Sequence, residues 1–112
     1  DGCFGPSSSQ QQVFEGCVSA VVSDALNGIN GTVFTYGQTG SGKTYSCMGG
    51  PSFETRGMIP RAIAQIFEDS QTKTCTVSFV EVYNDEARDL LCSRRKVTIL
   101  SDPRRSSGQV NT

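Results

Sequence analysis

Histidine and tryptophan are both missing from these 112 residues. Without histidine, imidazole general bases, Ser–His or Cys–His nucleophile pairs and His-ligated metals are excluded. Long apolar runs are missing too. None approaches the ~18 residues of a membrane-spanning helix, and no signal-peptide pattern opens the chain. Five cysteines are present (Cys3, Cys17, Cys47, Cys75 and Cys92), an odd number with no C-x-x-C pair. That pattern predicts reduced, individually packed thiols rather than a disulfide frame or a zinc site. A dominant charge is also absent: Lys and Arg number 10 against 11 Asp and Glu, for a net −1. No global field draws the chain to nucleic acid or to an anionic membrane. The expectation is a soluble intracellular chain with neither nucleic acid nor membrane insertion among its partners.

What is present fits one modest domain, burying roughly two-thirds of its unfolded surface. Separate catalytic and substrate domains do not fit in this length. The chain opens without an initiator Met, which points to a piece of something longer. From Gln10, the apolar residues Val13, Phe14, Cys17, Val18, Val21, Val22, Ala25 and Leu26 recur at helical period. Ser9 with Gln12 makes a capping-box start and Gly28 a stop, so residues ~10–27 read as one amphipathic helix. Its stripe is expected to pack on a sheet through Val13, Phe14, Val18, Val21 and Leu26.

Thr32–Tyr36 is β-branched and aromatic and reads as a short buried strand. A glycine-rich loop follows, and a helix is expected to begin near Gly42. "GGPSFETRG" is a loop by its Gly and Pro content. Met58–Asp69 reads as a helix, with Pro60 suited to a first turn. Cys75–Tyr83 reads as a second long strand, "NDEARDLL" as a turn and short helix, and Lys96–Leu100 as a short strand. "SDPRRSSGQVNT" is a polar loop. The order predicts an α/β fold: a partial sandwich whose central, mostly buried sheet carries helices on its faces.

The glycine loop carries the chemistry. Gly37-Gln38-Thr39-Gly40-Ser41-Gly42-Lys43-Thr44 fits G-x-x-x-x-G-K-S/T in full, the phosphate-binding loop of P-loop NTPases. Phosphate oxygens need several backbone N–H donors converging on one point, which demands small side chains and free φ angles. A helix leaving the loop turns its positive end toward the anion. Lys43 would supply a point charge to the β- and γ-phosphates, and the Thr44 hydroxyl would ligate Mg²⁺. The plain alternative is a flexible turn matching by accident. At typical residue frequencies that has a chance under about 1% in a chain this long.

The flanks resemble one family. "LNGINGTVFTYGQTGSGKTYSCMGG" is similar to the kinesin motor pattern around its phosphate loop, and "SSSQQQVFEGCV" resembles the S-Q-x-x-V-F/Y start of the preceding kinesin helix. "RGMIPRAIAQIF" is similar to G-I/M-I-P-R and its helix, and "VSFVEVYNDEARDLL" to S-x-x-E-I/V-Y-N-E-x-I/V-R-D-L-L. These four blocks, in order, span almost all of residues 1–112. Myosin would show an acidic residue in its phosphate loop; Gln38 and Ser41 fit kinesin.

The resemblance implies an ATP/ADP-binding, microtubule-dependent ATPase of the cytoplasm and the microtubule cytoskeleton. It further implies dimerisation through segments not present here. Gln38 to Thr44 would wrap the phosphates, and Tyr45 stands where kinesins place an aromatic or His against adenine. Residues 50–56 take the position of the insertion loop after the P-loop. Residues 101–110 take that of a loop presented to tubulin, whose acidic tail would attract Arg104 and Arg105. A solvated basic loop is the plain alternative, especially as Arg94, Arg95 and Lys96 lie close by in sequence. Departures from the family pattern are mild: Ile29, Thr35, Cys47, Asp85 and Ala87. Asp85, Glu86 and Asp89 read as solvated side chains with Arg88 as ion-pair partner, not as a carboxylate site.

Two segments expected of the family, N-x-x-S-S-R-S-H and D-x-x-G-S-E, are not among these residues, nor is an early R-x-R-P. Catalytic residues are therefore expected to be absent from this chain. The function reading is the ATP-binding portion of a kinesin-like motor. Its alternatives are a truncated, non-hydrolysing nucleotide-binding or tubulin-interacting fragment, and a different P-loop NTPase.

Overall fold

A computed structural model describes residues 2–68 and 74–99. They fall into two compact units, one running through Lys73 and the other starting at Thr74.

The first unit is helical. Helix α1, Gln10–Cys17, starts as the sequence predicts: Ser9 is extended, its Oγ accepts from the Gln12 N–H, and Gln12 Oε1 accepts from the Ser9 N–H at 2.8 Å. The expected single helix is interrupted at Val18, where φ swings to −120°, and resumes as α2, Ser19–Leu26. Hydrogen bonding crosses the break, with the Val18 N–H on Phe14 O at 2.8 Å and the Val22 N–H on Val18 O at 3.0 Å. The stop lies at Gly28, as expected: its N–H and that of Ile29 reach the carbonyls of Ala25 and Asp24. Helix α3, Lys43–Met48, leaves the glycine loop, and α4, Met58–Glu68, carries Pro60 in its first turn.

Phe14, Val18 and Val22, spaced four apart on one stripe, are buried together with Met58. Val13, Cys47, Ala62 and Ile66 pack around them. Burying one such side chain stabilises by roughly 1.5–3 kcal/mol, so these four dominate the unit. The sequence reading is corrected in two respects. The stripe packs on α4 rather than on a sheet, and its far end turns outward, leaving Leu26 exposed. Among the described residues no strand forms over 32–36, where Phe34 is 82% and Tyr36 93% exposed.

The second unit is a three-stranded antiparallel sheet in the order β1 (Val80–Tyr83), β2 (Glu86–Asp89), β3 (Arg95–Val97). Tyr83 pairs with Glu86 across a two-residue turn, Asn84–Asp85, at φ 48° and 59°. Both central residues left-handed is the type I′ geometry whose twist suits a hairpin. The short helix expected in "NDEARDLL" is therefore a hairpin turn and strand, and the long strand from Cys75 is ordered as a ladder only from Val80. The third expected strand, Lys96–Leu100, pairs over Arg95–Val97 instead. Most strand residues are exposed, Ala87 being the buried one. The expected largely buried sheet thus differs from the small exposed one that these residues build. No described helix is long and apolar enough to cross a membrane.

Candidate functional site

The glycine loop ends where α3 begins, and Gly42 makes the junction. It caps the helix at φ 91°, ψ 11°, a left-handed conformation that a side chain would oppose. The loop tightens around it, with the Ser41 N–H on Gln38 O at 3.2 Å and the Ser46 N–H on Gly42 O at 2.8 Å. Thr39, Gly40, Gly42, Lys43, Thr44 and Tyr45 line one open pocket of about 350 Å³. The expected phosphate-loop residues are thus brought to one place. Gly37 and Gln38 meet it through Lys43, whose Nζ donates to both of their carbonyls at 2.7 Å.

An ammonium carries three donors. Two bind the loop, leaving the third for an anion. Lys43 is half-buried, while Thr44 and Tyr45 are exposed on the first turn of α3. The Thr44 hydroxyl is thereby accessible to a cation and the Tyr45 ring to a planar base. The Thr44 hydroxyl is a hard oxygen donor of the kind that Mg²⁺ takes, alongside water and phosphate oxygens. Among the described residues, no group of three or more His, Cys, Asp or Glu could hold a metal ion.

Behind the loop, α3 is tied down at both ends. At its C-terminal end, residues 49–57 form a closed turn. The Gly50 N–H reaches Thr55 O at 2.8 Å and the Gly57 N–H reaches Met48 O at 3.1 Å. Arg61 on α4 clamps this turn, donating to Arg56 O at 2.9 Å, to Glu54 O at 3.0 Å and to the side chain of Gln11 on α1. The Glu54 carboxyl is held below the usual carboxylate range, first by its own backbone N–H and then by Ser52. At the N-terminal end the tie is Gln10, which the sequence reading did not single out. It is 7% exposed, and its Nε2 donates to Tyr45 O at 2.7 Å. The signal was present: Gln10 stands four residues before Phe14, a polar residue at the head of the apolar stripe Phe14–Val18–Val22.

Elsewhere, Glu86 pairs with Arg88 at 3.0 Å, as expected, and also with Lys96 at 2.8 Å, while Asp89 accepts from the Leu91 N–H at 2.8 Å. Arg104, Arg105 and the 101–110 loop lie outside the described residues.

The glycine loop, its helix and the four blocks around them meet their match in one family. The kinesin motor domain family model matches residues 1–111. This chain belongs to the kinesin motor family. It is 43% identical to the kinesin-like protein KIN-5A of Oryza sativa subsp. japonica, over 81% of this chain and 10% of that protein. It is 41% identical to the human chromosome-associated kinesin KIF4A, over 93% of this chain and 10% of that protein. With the kinesin-like protein cut7 of Schizosaccharomyces pombe it shares 39% identity, over 100% of this chain and 12% of that protein. Among solved structures it is similar to Drosophila NOD, docked with bovine tubulin into a cryo-EM map of nucleotide-free NOD complexed to the microtubule. That likeness has a TM-score of 0.71 at 30% identity, over 87% of this chain and 38% of that one. The kinesin chain therefore spans about a tenth of the length of the curated relatives it matches. Its helices and small sheet are part of the α/β motor fold.

Proposed function

We propose that this chain is the nucleotide-binding portion of a kinesin-like microtubule motor, which in the whole protein couples ATP hydrolysis to movement along microtubules. One observation carries the reading. The G-x-x-x-x-G-K-T segment closes on itself through Lys43 and enters a helix at a left-handed Gly42, with Thr44 and Tyr45 exposed beside it. In this reading Gly37 to Thr44 bind the β- and γ-phosphates of ATP or ADP, the third Lys43 donor neutralises their charge, Thr44 ligates Mg²⁺ and Tyr45 covers the base. The bound nucleotide supplies the phosphoryl group; the chain's own residues bind and orient it.

Tubulin is the proposed partner and the microtubule cytoskeleton of the cytoplasm the proposed location. Family membership and the microtubule named with the NOD structure support both. Arg104 and Arg105 are proposed to face the acidic tubulin surface, and dimerisation to use segments beyond these residues. The nucleotide reading is tested by calorimetric titration with MgADP. Lys43→Ala removes a charge-assisted donor and is expected to weaken binding by roughly ten- to a hundredfold. Equal affinity in wild type and variant sinks the reading.

A further inference from the structure

The buried amide of Gln10 sits outside the phosphate loop, on a different helix, and touches neither the pocket nor its lining side chains. It bonds to backbone instead. Tyr45 belongs to the last four residues of a six-residue helix, whose carbonyls have no partner inside the helix. Gln10 Nε2 supplies the missing donor to that carbonyl at 2.7 Å. The same carbonyl belongs to the turn that carries Lys43, Thr44 and Tyr45 into the pocket.

Gln10 is itself fixed from both sides. The capping box of Ser9 and Gln12 sets the first turn of α1 around it. Phe14 and Val18, one and two turns on, are buried against Met58 of α4. A long amide side chain loses rotamer freedom when buried, and here that loss is taken by packing before any ligand arrives. The hydrogen bond transfers the rigidity of the α1–α4 core to the first turn of α3.

Resting on the nucleotide reading above, we propose that Gln10 is a positioning residue for the nucleotide site, holding Lys43, Thr44 and Tyr45 in register through the Tyr45 carbonyl. The proposal differs from a purely structural role in what it moves. Truncating a core side chain elsewhere lowers the melting temperature and leaves the affinity of the folded chain alone. Loss of Gln10 also leaves α3 free to sample positions in which its first turn does not present the site, and apparent affinity falls by the fraction of time the competent position is lost.

The experiment compares MgADP affinity and melting temperature in the full chain for wild type, Gln10→Met, Gln10→Glu, Val22→Ala and Lys43→Ala. Gln10→Met keeps the length and apolar packing without a donor, so it folds. Gln10→Glu sets a carboxylate oxygen against the carbonyl. Val22→Ala removes core packing on α2, which takes no part in the Gln10–Tyr45 bond. The expected result, measured well below every midpoint, is roughly tenfold weaker binding for Gln10→Met, as for one missing buried hydrogen bond. Gln10→Glu binds more weakly still, and Val22→Ala binds like wild type despite its lower melting temperature. Wild-type affinity in Gln10→Met overturns the proposal even if Gln10→Glu fails to fold, and so does a loss in Val22→Ala that scales with melting temperature in the same way. If wild type itself shows no Lys43-dependent binding, the nucleotide reading fails and takes this one with it; if it does and only Gln10→Met is silent, the positioning role alone is lost.

Discussion

The backbone N–H of Gly57 donates to the carbonyl of Met48 at 3.1 Å, closing residues 49–57 into a turn that brings the start of α4 against the end of α3. Such closeness of two backbones excludes side chains. A Cβ on Gly57 would lie 2.5 Å from Cys47 O, and one on Gly49 would run into Thr55 O and the Gly57 nitrogen. Gly49 in addition stands at φ 80°. Gly49→Ala is therefore expected to destabilise the helical unit by about 2–4 kcal/mol, combining left-handed strain with a backbone clash. Gly5→Ala, where a Cβ meets nothing within 4 Å, is the control. Thermal melts of the two variants check it; equal midpoints contradict the closed turn.

A second prediction separates the two ends of the amphipathic stripe. Val22 is buried in the α1–α4 core whereas Leu26, four residues on, is 37% exposed. Val22→Ala is expected to cost about 1–3 kcal/mol, from reduced burial and the cavity left behind. Leu26→Ala is expected to stay within about 1 kcal/mol, although leucine loses more methylenes. Chemical denaturation gives both numbers. A larger loss at Leu26 would restore the packing phase that the sequence alone predicts.

That contrast shows what the sequence could and could not convey. The stripe itself, the capping box at Ser9 and the phosphate loop were legible, because each rests on spacing within a few residues. What the stripe packs on was not, because helical period says which face is apolar and nothing of the partner. The break at Val18 has no proline to announce it. Thr32–Tyr36 has strand composition, but a strand exists only with a ladder neighbour, and none forms over it among the described residues. In "NDEARDLL" the good helix formers Glu86, Ala87, Arg88 and Leu90 outweighed a weaker signal, the Asn84–Asp85 pair that tolerates left-handed φ and makes a hairpin turn. Gln10 was visible as a polar residue at the head of the stripe, but its partner was not, because the hydrogen bond spans 35 positions.

The hairpin yields a prediction in pH. The Glu86 carboxyl is held below the usual carboxylate range, chiefly by the hydrogen bond from Lys96 and then by that from Arg88. A carboxyl that binds protons less readily folded than unfolded stabilises fully above its unfolded pKa. That contribution disappears as pH falls through the lower, folded value. All three side chains are well exposed, so the effect is small and is screened by salt. Titration of the Glu86 side-chain carbon by NMR should give a midpoint below the ordinary glutamate value. Adding salt or introducing Lys96→Ala should raise it. A midpoint at the ordinary glutamate value at low salt would show that the pairs do not persist in solution.

The last prediction concerns turnover. A polypeptide of these 112 residues is expected to bind MgADP without hydrolysing ATP in a microtubule-stimulated way. Binding is local: the Lys43 ammonium holds the loop at Gly37 O and Gln38 O beside the first turn of α3, all within residues 37–45. Hydrolysis is not local, since phosphoryl transfer depends on a positioned water and on charge stabilisation around the transferring group. The family segments expected to provide these, N-x-x-S-S-R-S-H and D-x-x-G-S-E, are not among these residues. Lacking a transition-state stabilising group slows such reactions by roughly a thousandfold or more. The apolar groove lined by Val21, Val33, Phe34 and Ile59 adds a folding handicap, because its exposed surface favours association over a defined monomer. Phosphate release measured with and without microtubules decides the matter, with Lys43→Ala as the negative control and a longer chain carrying both segments as the positive one. Stimulation by microtubules that disappears in Lys43→Ala would mean that the described helices and loop already contain the hydrolytic machinery.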